Sequence, residues 1–509
     1  MTQTLMLQDA ETLLVHGRLD LAAQRFHDVL ESDPHCFNAL LGLGVICAQQ
    51  GQFAEAIPWL SQAVIQSPDS CLAHYNLGIA HKSLQQLDAA IEQFESVIAL
   101  DSSHLGALNS LGNCFIAKGQ IEDATATYTH ALALAPDNPQ TLYNYALLLQ
   151  SSGHVTEAAA LYEKAVTLRP DFAAAWTNLG TILQDTGAFA DSELCFRQAL
   201  SADPTFADAS INLGLCLFRQ NRADEALSLA LSTASQPDHA DFPHYSLGLL
   251  FAKLGQNPKA QQHLARSLER DPEDTQGARL VMAGLGTLPV PDRSSDAQMQ
   301  KLYTARAASW DKATESDHSY RGHELVADLF KSLYPEHQAL SVLDAGCGTG
   351  LVGLSLGPVG QLEGVDLSAP MLAHAQVKGI YTSLHQADML HFMEAHEGSY
   401  DVVTSAATLI HFGDLRPVFT AAKSALRPGG RFLFTVFPGP DSQPTGAAIS
   451  LLHGHAEGGC YLHSRPHLIK WAEEVGFSVE VMKEDVHEFD RGNPITALVV
   501  ALQSIAPSP

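Results

Sequence analysis

A run of alternating glycines in the second half of the chain is the first feature that could bind a ligand. In 342–350, an apolar stretch leads to Asp344, and glycine then occupies positions 346, 348 and 350. Residues without a Cβ let the backbone turn tightly and approach a bound molecule closely. A helix expected from about residue 351 would turn main-chain N–H groups toward that molecule. The spacing therefore predicts a strand, a tight loop and a helix around a small ligand.

A second acidic residue, Asp366, ends the apolar segment Gln361–Asp366, sixteen residues after Gly350. A carboxylate at the end of a strand can accept hydrogen bonds from both hydroxyls of a ribose. A dinucleotide-binding dehydrogenase also carries an acid after its second strand, but its glycines follow G-x-G-x-x-G. The G-x-G-x-G spacing found here resembles instead the first two motifs of class I S-adenosylmethionine-dependent methyltransferases.

Strand-like and helix-like segments alternate from about residue 298, which is the arrangement needed to position such a loop. Five alternating units followed by a hairpin resemble the Rossmann-like, seven-stranded α/β sheet of that family, whose last strand runs antiparallel. A plain dinucleotide fold would not end in this hairpin. Strands are expected at 340–345, 361–366, 381–386, 400–405, 430–437, 477–485 and 495–503.

The resemblance implies S-adenosyl-L-methionine as cofactor and suggests a role for each matching residue. Asp344 would hold the glycine loop or the donor's amino group, and Asp366 would bind the ribose. Asp388 would receive the adenine amino group, although it could also cap a helix. The expected donor-binding residues are Asp344, Gly346, Cys347, Gly348, Gly350, Asp366, Leu367, Asp388, Met389, Ser405 at the end of the fourth strand, and Tyr303 in a lid helix.

Two histidines are candidates for a general base, which a hydroxyl or amine acceptor can require and a carboxylate does not. His411 follows the fourth strand, and His463 lies in the segment 461–464. Either could instead cap a helix or line the pocket. The segment 405–408, Ser-Ala-Ala-Thr, lacks the Asn/Asp-Pro-Pro-aromatic motif of enzymes that methylate nucleobases or glutamine amides. The polar stretch 438–459 is expected to form a substrate cap.

The first half of the chain repeats with a period of 34 residues, which predicts one helix pair per repeat and an all-α solenoid. The pattern resembles eight tetratricopeptide repeats over 3–274, followed by a capping helix and linker over 275–297 and the methyltransferase domain over 298–509. The seventh repeat lacks its aromatic residue, so irregularity is expected near 229–243. Glycine recurs at 44, 78, 112, 180, 214 and 248, a small residue at 22, 56, 90, 124, 158, 192, 226 and 260, and proline at 34, 68, 136, 170, 204 and 272.

Asparagine recurs at the sixth place of four repeats. A side-chain amide both donates and accepts, so it suits a peptide backbone of any sequence. In some related arrays, an asparagine ladder holds an extended peptide, although asparagine is also simply common at this place. We expect a protein or peptide partner in this groove, held by Asn76, Asn144, Asn178 and Asn212.

Composition limits the other partners. The formal net charge is −27, and no cluster of five basic residues occurs, which argues against nucleic acid. The eight cysteines form no C-x-x-C and match no zinc spacing, so we expect no metal and a reduced setting. The N-terminus lacks the layout of a signal peptide, and no apolar run reaches 18 residues. These observations predict a cytoplasmic protein that does not span a membrane.

The segments 302–311, 409–415 and 461–464 resemble a bacterial group that joins tetratricopeptide repeats to a methyltransferase domain. We therefore expect a bacterial S-adenosylmethionine-dependent methyltransferase whose array recruits a protein-borne acceptor. One alternative is a small-molecule or acyl-carrier carboxyl O-methyltransferase that uses the array only for assembly. Another is a scaffold that binds the donor without turnover. The resemblance does not identify the acceptor.

Overall fold

The computed structural model describes residues 3–317, 320–336, 339–441, 448–450, 459–490 and 493–505. The chain divides into two compact units. The first contains Met1–Gln150 and His154–Leu179, and the second contains Ser151–Gly153 and Gly180–Pro509.

The predicted helix pairs are confirmed along the first half of the chain. A Cβ added to Gly78 would lie 2.7 Å from Phe94, and one added to Gly112 would lie 2.6 Å from Tyr128, so the repeated glycines let the paired helices pack closely. The helices are α1 (Gln3–Val15), α2 (Leu19–Ser32), α3 (Phe37–Gln49), α4 (Phe53–Gln66), α5 (Cys71–Ser83), α6 (Leu87–Leu100), α7 (Leu105–Ala117), α8 (Ile121–Leu134), α9 (Pro139–Ser151), α10 (Val155–Leu168), α11 (Ala173–Asp185), α12 (Phe189–Ala202), α13 (Ala207–Arg219), α14 (Ala223–Ala234), α15 (His244–Lys253) and α16 (Asn257–Arg270).

The seventh repeat is irregular, as its sequence predicts. Helix α14 has 12 residues and α15 has 10, whereas the preceding helices have 13 or 14. At the start of α15, His244 shares a hydrogen bond of 2.9 Å with His263 of α16 and one of 3.1 Å with Asp238 of the connection. Polar contacts of the connection therefore accompany the shortening of both helices.

The segment predicted as a capping helix and linker is packed against the α/β half of the chain. Helix α17 (Ala278–Gly284) buries Leu280 against Tyr461. The Tyr461 hydroxyl donates to the Pro291 carbonyl at 2.9 Å, and Gly413 N donates to the Asp292 carbonyl at 2.7 Å. These bonds fix the chain just before the α/β domain, so this stretch is a structural part of the domain and not a free connection.

A mixed sheet with helices on both faces forms the second half of the chain, which confirms the predicted fold. Parallel strands β3, β2, β1, β4 and β5 lie in that order, and β9 then pairs antiparallel with both β5 and β8. The strands are β1 (Ser341–Ala345), β2 (Gln361–Asp366), β3 (Ser383–Gln386), β4 (Tyr400–Ser405), β5 (Leu426–Pro438), β6 (Ala448–Ser450), β7 (Cys460–His463), β8 (Phe477–Asp490) and β9 (Asn493–Ser504). The helices are α18 (Asp296–Asp317), α19 (Gly322–Leu333), α20 (Leu351–Leu356), α21 (Ala369–Lys378), α22 (Met389–Ala395), α23 (Arg416–Ala425) and α24 (Arg465–Val475).

Two short strands were not predicted. Strand β6 pairs antiparallel with β7, and β7 joins the end of β5 at Phe437 and Pro438. Most of the predicted substrate cap, 438–459, lies outside the described residues. The described part shows that the chain returns to the sheet there and adds strands to its edge.

Apolar side chains cover both faces of the sheet. One cluster includes Phe419 and Phe432, and the other includes Phe330 and Val342, all fully buried. Since parallel strands are covered on both sides, they present their carboxyl ends as the accessible edge where a site can form. Within the described residues, no helix is long and apolar enough to cross a membrane.

Candidate functional site

The glycine loop between β1 and α20 has a backbone that glycine favours. The φ angles of Gly346, Gly348 and Gly350 are 76°, 53° and 89°. A Cβ on Gly346 would lie 2.3 Å from the Thr408 hydroxyl oxygen, whereas one on Gly348 would enter open space. Gly346 N donates to the Val365 carbonyl at 2.8 Å, so the loop is fixed to the end of β2. The loop therefore leaves main-chain atoms at the carboxyl edge of the sheet.

Asp366 joins this loop to the turn after β2. Its two carboxylate oxygens accept from Gly348 N at 2.9 Å and from Ser368 N at 2.8 Å. Burial raises the pKa of this carboxyl, and the backbone N–H donors act in the opposite direction. The side chain is thus oriented by two loops at once, at the position where the sequence expects a ribose.

A cleft opens beside the glycine loop, at the carboxyl ends of β1, β2 and β4. Its empty space, including the open mouth, is about 980 Å³, which is within the range of small-molecule sites. The structure brings together most of the predicted residues here. Those that line the cleft are Tyr303, Gly346, Cys347, Gly348, Asp366, Leu367, Asp388, Met389 and His411.

Four predicted residues do not line the cleft, and their contact with a donor or acceptor stays a prediction. Asp344 is fully buried in β1, accepts from the Tyr381 hydroxyl at 2.7 Å, and has its pKa raised to about 7 by burial. Ser405 donates to the Ala345 carbonyl at 2.8 Å. These two, with Gly350, support the loop from behind. His463, 1% exposed beside Trp471, is away from the cleft wall.

Asp388 combines the predicted helix cap with a partner that the sequence did not indicate. One carboxylate oxygen accepts from Leu390 N at 2.9 Å and from His391 N at 3.1 Å, capping α22. The other accepts from the Arg293 guanidinium at 2.6 Å, and these donors hold the pKa of Asp388 below its usual value against the effect of burial. Arg293 was missed because it lies in the segment predicted as linker, where no motif signals it.

Helix α18 is attached to the glycine loop by charged and polar groups. Thr349 donates its hydroxyl to Asp311 at 2.5 Å. Lys378 forms an ion pair with Asp311 and donates to the Thr349 carbonyl at 2.7 Å. The predicted lid helix therefore crosses the cleft and is tied to its floor. No spacing in the sequence signals this three-residue contact, because Asp311 and Lys378 are 67 residues apart.

Tyr303 and His411 meet at the inner end of the cleft. The tyrosine hydroxyl and His411 Nε2 share a hydrogen bond of 2.6 Å. Burial lowers the pKa of His411 to about 4, so the imidazole is neutral near pH 7. It also raises the pKa of the Tyr303 hydroxyl, which keeps its proton. A neutral imidazole at a cleft wall can accept a proton from a substrate.

Three buried polar atoms of residues that line the cleft have no hydrogen-bond partner among the described residues. They are the Ser294 hydroxyl oxygen, His323 Nδ1 and His411 Nδ1. Buried polar groups normally find partners, so such atoms indicate a ligand or water that would complete them. No group of three or more His, Cys, Asp or Glu that could hold a metal ion occurs among the residues described.

The asparagines of the array have different surroundings from one another. Asn144 is 6% exposed, donates to Asn109 at 3.2 Å and accepts from Gln140 at 3.0 Å. Asn76 donates to the Leu72 carbonyl of its own helix at 2.8 Å. A peptide would have to replace these bonds. Asn178 donates two long hydrogen bonds, of 3.4 Å, to tyrosine hydroxyls, and Asn212 is half-buried. Peptide binding by the four residues remains a prediction.

Comparison with known families agrees with this division of the chain. A methyltransferase domain model matches residues 317–481. A tetratricopeptide repeat model matches 7–70 and 75–139, and the middle TPR-like domain of cilia and flagella-associated protein 70 matches 142–270. These matches cover both halves separately, and none covers half of the chain.

Individual relatives match one half or the other. The ubiquinone biosynthesis O-methyltransferase of Cronobacter sakazakii is 35% identical over 156 residues, which are 29% of this chain and 63% of that protein. The enzyme of the same name from Sodalis glossinidius is 36% identical over 100 residues, 19% of this chain and 40% of that protein. Tetratricopeptide repeat protein 1 of Schizosaccharomyces pombe is 29% identical over 136 residues, 25% of this chain and 13% of that protein. The chain thus spans less than two thirds of each relative.

Among solved structures, a tetratricopeptide repeat protein from Parabacteroides merdae is similar over 50% of this chain and 98% of its own length, with 14% identity and a TM-score of 0.42. The matched domain models and the folds of the two halves indicate the same division of the chain. The chain carries tetratricopeptide repeats in its first half and a methyltransferase domain in its second, as the matched models show.

Proposed function

We propose that this protein is an S-adenosylmethionine-dependent methyltransferase. The observation that carries the proposal is the cleft itself, where a glycine loop with open backbone meets Asp366, held between Gly348 N and Ser368 N. Main-chain N–H groups and a fixed carboxylate are the groups that a nucleoside with an amino-acid tail requires. The matched domain model and the methyltransferase relatives support the same reaction class.

The residues present fit this donor. Asp366 would accept the ribose hydroxyls, Asp388 with Arg293 would contact the base, and the backbone around Gly348 would contact the amino-acid part. Ser294 and His323 would supply two of the polar atoms that have no partner among the described residues. When bound, S-adenosylmethionine supplies a methyl group already activated for in-line displacement.

The protein's own contribution is then alignment, exclusion of water and proton transfer. Helix α18, held to the glycine loop through Asp311, closes the cleft on one side. Alignment of this kind is worth about 7–11 kcal/mol of the barrier. His411, neutral and hydrogen-bonded to Tyr303, would accept the proton of a hydroxyl acceptor. His463 lies off the cleft, so its role as a base would require a rearrangement that nothing in the structure motivates.

We further propose that the acceptor is protein-borne and recruited through the array. The support is the length of the array, and the packing of the segment that follows it against the α/β domain, where the Tyr461 hydroxyl donates to the Pro291 carbonyl. The proposed domains are 3–274, 275–297 and 298–509, and we propose a cytoplasmic, bacterial protein. A second candidate is a small-molecule O-methyltransferase with the array as an assembly module. The Tyr303–His411 pair and the O-methyltransferase activity for which the relatives are named favour this candidate.

The donor site is tested by isothermal titration of the full chain with S-adenosylhomocysteine, the demethylated product. We expect one site per chain with a measurable heat. Absence of binding to a folded chain would remove the proposal. A radiolabelled methyl donor added to cell lysate then separates an enzyme from a scaffold, because a scaffold binds the product but labels nothing.

The array's role is tested with the double variant Asn178→Ala, Asn212→Ala. If the array presents a protein acceptor, the variant should raise KM for that acceptor about tenfold or more and leave kcat and the affinity for S-adenosylhomocysteine unchanged. Equal KM values would favour the small-molecule candidate. Asn138→Ala, which removes a cap bond to Thr141 N in the same array, is the control for general loosening of the helices.

A further inference from the structure

A short segment before helix α18, residues 291–294, joins two sides of the donor cleft. Asp388 follows β3 and His411 follows β4, and in the sheet these two strands are separated by β2 and β1. Arg293 donates to Asp388 at 2.6 Å, and Ser294 N donates to the His411 carbonyl at 2.9 Å. Arg293 and Ser294 also line the cleft. We call residues 291–294 the strap.

The strap pairs with the chain that follows β4. Arg293 forms an antiparallel bridge with Phe412, and Gly413 N donates to the Asp292 carbonyl at 2.7 Å. A Cβ on Gly413 would lie 2.7 Å from the Pro291 carbonyl oxygen, so the close pairing requires glycine at this position. The strap is therefore fixed to the loop after β4 by its backbone.

Tyr461 connects the strap to helix α17. Its hydroxyl donates to the Pro291 carbonyl at 2.9 Å, and its ring packs against Leu280 of α17. A Cβ on Gly413 would also lie 2.7 Å from this ring. Tyr461 is fully buried, so the strap, α17 and the loop after β4 meet at one aromatic side chain.

Helix α17 has a second face, which belongs to the last repeat. Ala278, Val281 and Met282 are buried in one apolar cluster with Phe251 of α15 and Leu264 of α16. These helices lie in the same compact unit as the α/β domain. One short helix thus packs against the core of the last repeat and against the residue that holds the strap.

Polar contacts tie the residues before α17 to those that follow the strap. The Ser295 hydroxyl donates to the Asp274 carbonyl at 3.3 Å. Lys301 Nζ donates to the Thr275 hydroxyl oxygen at 3.1 Å. Displacement of the strap from the cleft would therefore disturb the end of the last repeat as well.

We propose that the strap couples the donor cleft to the last repeat, so that donor binding and the packing of α15, α16 and α17 stabilise one another. The inference rests on the proposed function and deepens it by naming how that site is regulated. Its physical basis is a local equilibrium between a docked and an undocked strap. Only the docked strap presents Arg293 and Ser294 to the donor, so the donor shifts the equilibrium toward docking.

Coupling between two sites is reciprocal. A donor that holds the strap docked also holds α17 against Tyr461 and thereby stabilises the last repeat. A protein partner that stabilises α15 and α16 increases the affinity for the donor, and loss of the packing of α17 decreases it. Side chains of the first repeats have no such effect, because each repeat of an array contacts only its neighbours.

Hydrogen exchange of the full chain, with and without saturating S-adenosylhomocysteine, measures the coupling. Exchange should slow about threefold or more in α16 and α17 as well as in the glycine loop. Tyr461→Phe removes the hydroxyl bond to Pro291 and should remove about half or more of the slowing in α17, while the glycine loop still slows. Tyr400→Phe is the matched control, because it removes a hydroxyl bond to Glu363 within the sheet, and it should behave as the wild type does.

A second measurement uses the affinity for S-adenosylhomocysteine. Leu280 is 2% exposed and does not line the cleft, yet Leu280→Ala should weaken binding about fivefold, because α17 loses its packing against Tyr461. Leu40→Ala is the control, since Leu40 of α3 is 3% exposed in an early repeat and its loss should leave the affinity unchanged. Isothermal titration measures both dissociation constants.

The outcomes separate this inference from the proposed function. Slower exchange in α16 and α17, reduced in Tyr461→Phe and kept in Tyr400→Phe, supports the coupling. Slowing confined to the cleft, or equal affinities of Leu280→Ala and the wild type, overturns it. If Leu280→Ala does not fold, the two tyrosine variants decide the question. If the folded wild-type chain does not bind S-adenosylhomocysteine, the proposed function itself fails, which is a different result from binding without coupling.

Discussion

The array and the catalytic domain are stabilised by contacts of very different sequence separation. In the array, Gly78 faces Phe94 and Gly112 faces Tyr128, each sixteen positions later, as the period requires. In the catalytic domain, Arg293 reaches Asp388 across 95 positions and Tyr303 reaches His411 across 108. A residue's role in the array is therefore set by its phase in the repeat, whereas its role in the site is set by topology.

The largest expected effect is at the centre of the donor cleft. Asp366→Ala should weaken S-adenosylhomocysteine binding roughly a hundredfold, because two charge-assisted hydrogen bonds of about 1.5–3 kcal/mol each would be lost in part. Isothermal titration measures the dissociation constant. Asp414→Ala is the control: it removes a partner of Arg416 and should leave the affinity for S-adenosylhomocysteine unchanged. Equal affinities for Asp366→Ala and the wild type would remove the role assigned to this residue.

A matched pair of glycine variants sharpens the comparison between the regions. Gly346→Ala places a methyl group 2.3 Å from Thr408 at a φ of 76°, so binding of S-adenosylhomocysteine should fall about thirtyfold. Gly112→Ala overpacks against Tyr128 and should lower stability by about 1–3 kcal/mol with no change in affinity. For both variants, isothermal titration measures the affinity for S-adenosylhomocysteine and thermal unfolding measures the stability. Loss of donor affinity in Gly112→Ala would show that the two regions are coupled.

Arg293 tests whether the segment before the α/β domain belongs to the site. Arg293→Gln should weaken S-adenosylhomocysteine binding about tenfold, because Asp388 would lose its partner at 2.6 Å. Arg279→Gln, on the surface of α17 beside Asp274, is the control and should bind normally. If Arg293→Gln binds S-adenosylhomocysteine as tightly as the wild type, this segment only connects the two halves and is not part of the site.

The smallest expected effect concerns pH. Burial lowers the pKa of His463 from 6.5 to about 4 in the folded chain, so the unfolded chain binds the proton more readily. The stabilising effect of a neutral His463 is complete above about pH 6.5 and is lost as the pH falls toward 4. His463→Phe should therefore lose about 1–2 kcal/mol less stability between pH 7 and pH 5 than the wild type. Denaturant unfolding at the two pH values measures the free energy of unfolding. Equal losses in the variant and the wild type would contradict the lowered pKa of His463.

Sequence reasoning went furthest where the pattern was periodic or carried by a motif. It predicted the helix pairs, the irregular seventh repeat and the five parallel strands with their terminal hairpin. It also placed Gly348 and Asp366 at one cleft. It expected Ser405 and His463 at the ligands, and that contact stays a prediction. Neither residue lines the cleft, because position along the chain does not show which way a side chain turns. It missed β6 and β7, which lie beside a polar stretch without alternation.

The sequence by itself determined which backbone elements form, since glycine spacing, helical period and strand alternation act over short distances. Only the tertiary structure decided which side chains meet. Arg293 joins Asp388, Lys378 joins Asp311, and Tyr303 joins His411 because sheet order and the path of α18 bring them together. The physical reason is that burial, charge pairing and pKa depend on neighbours in space, and no spacing along the chain specifies those neighbours.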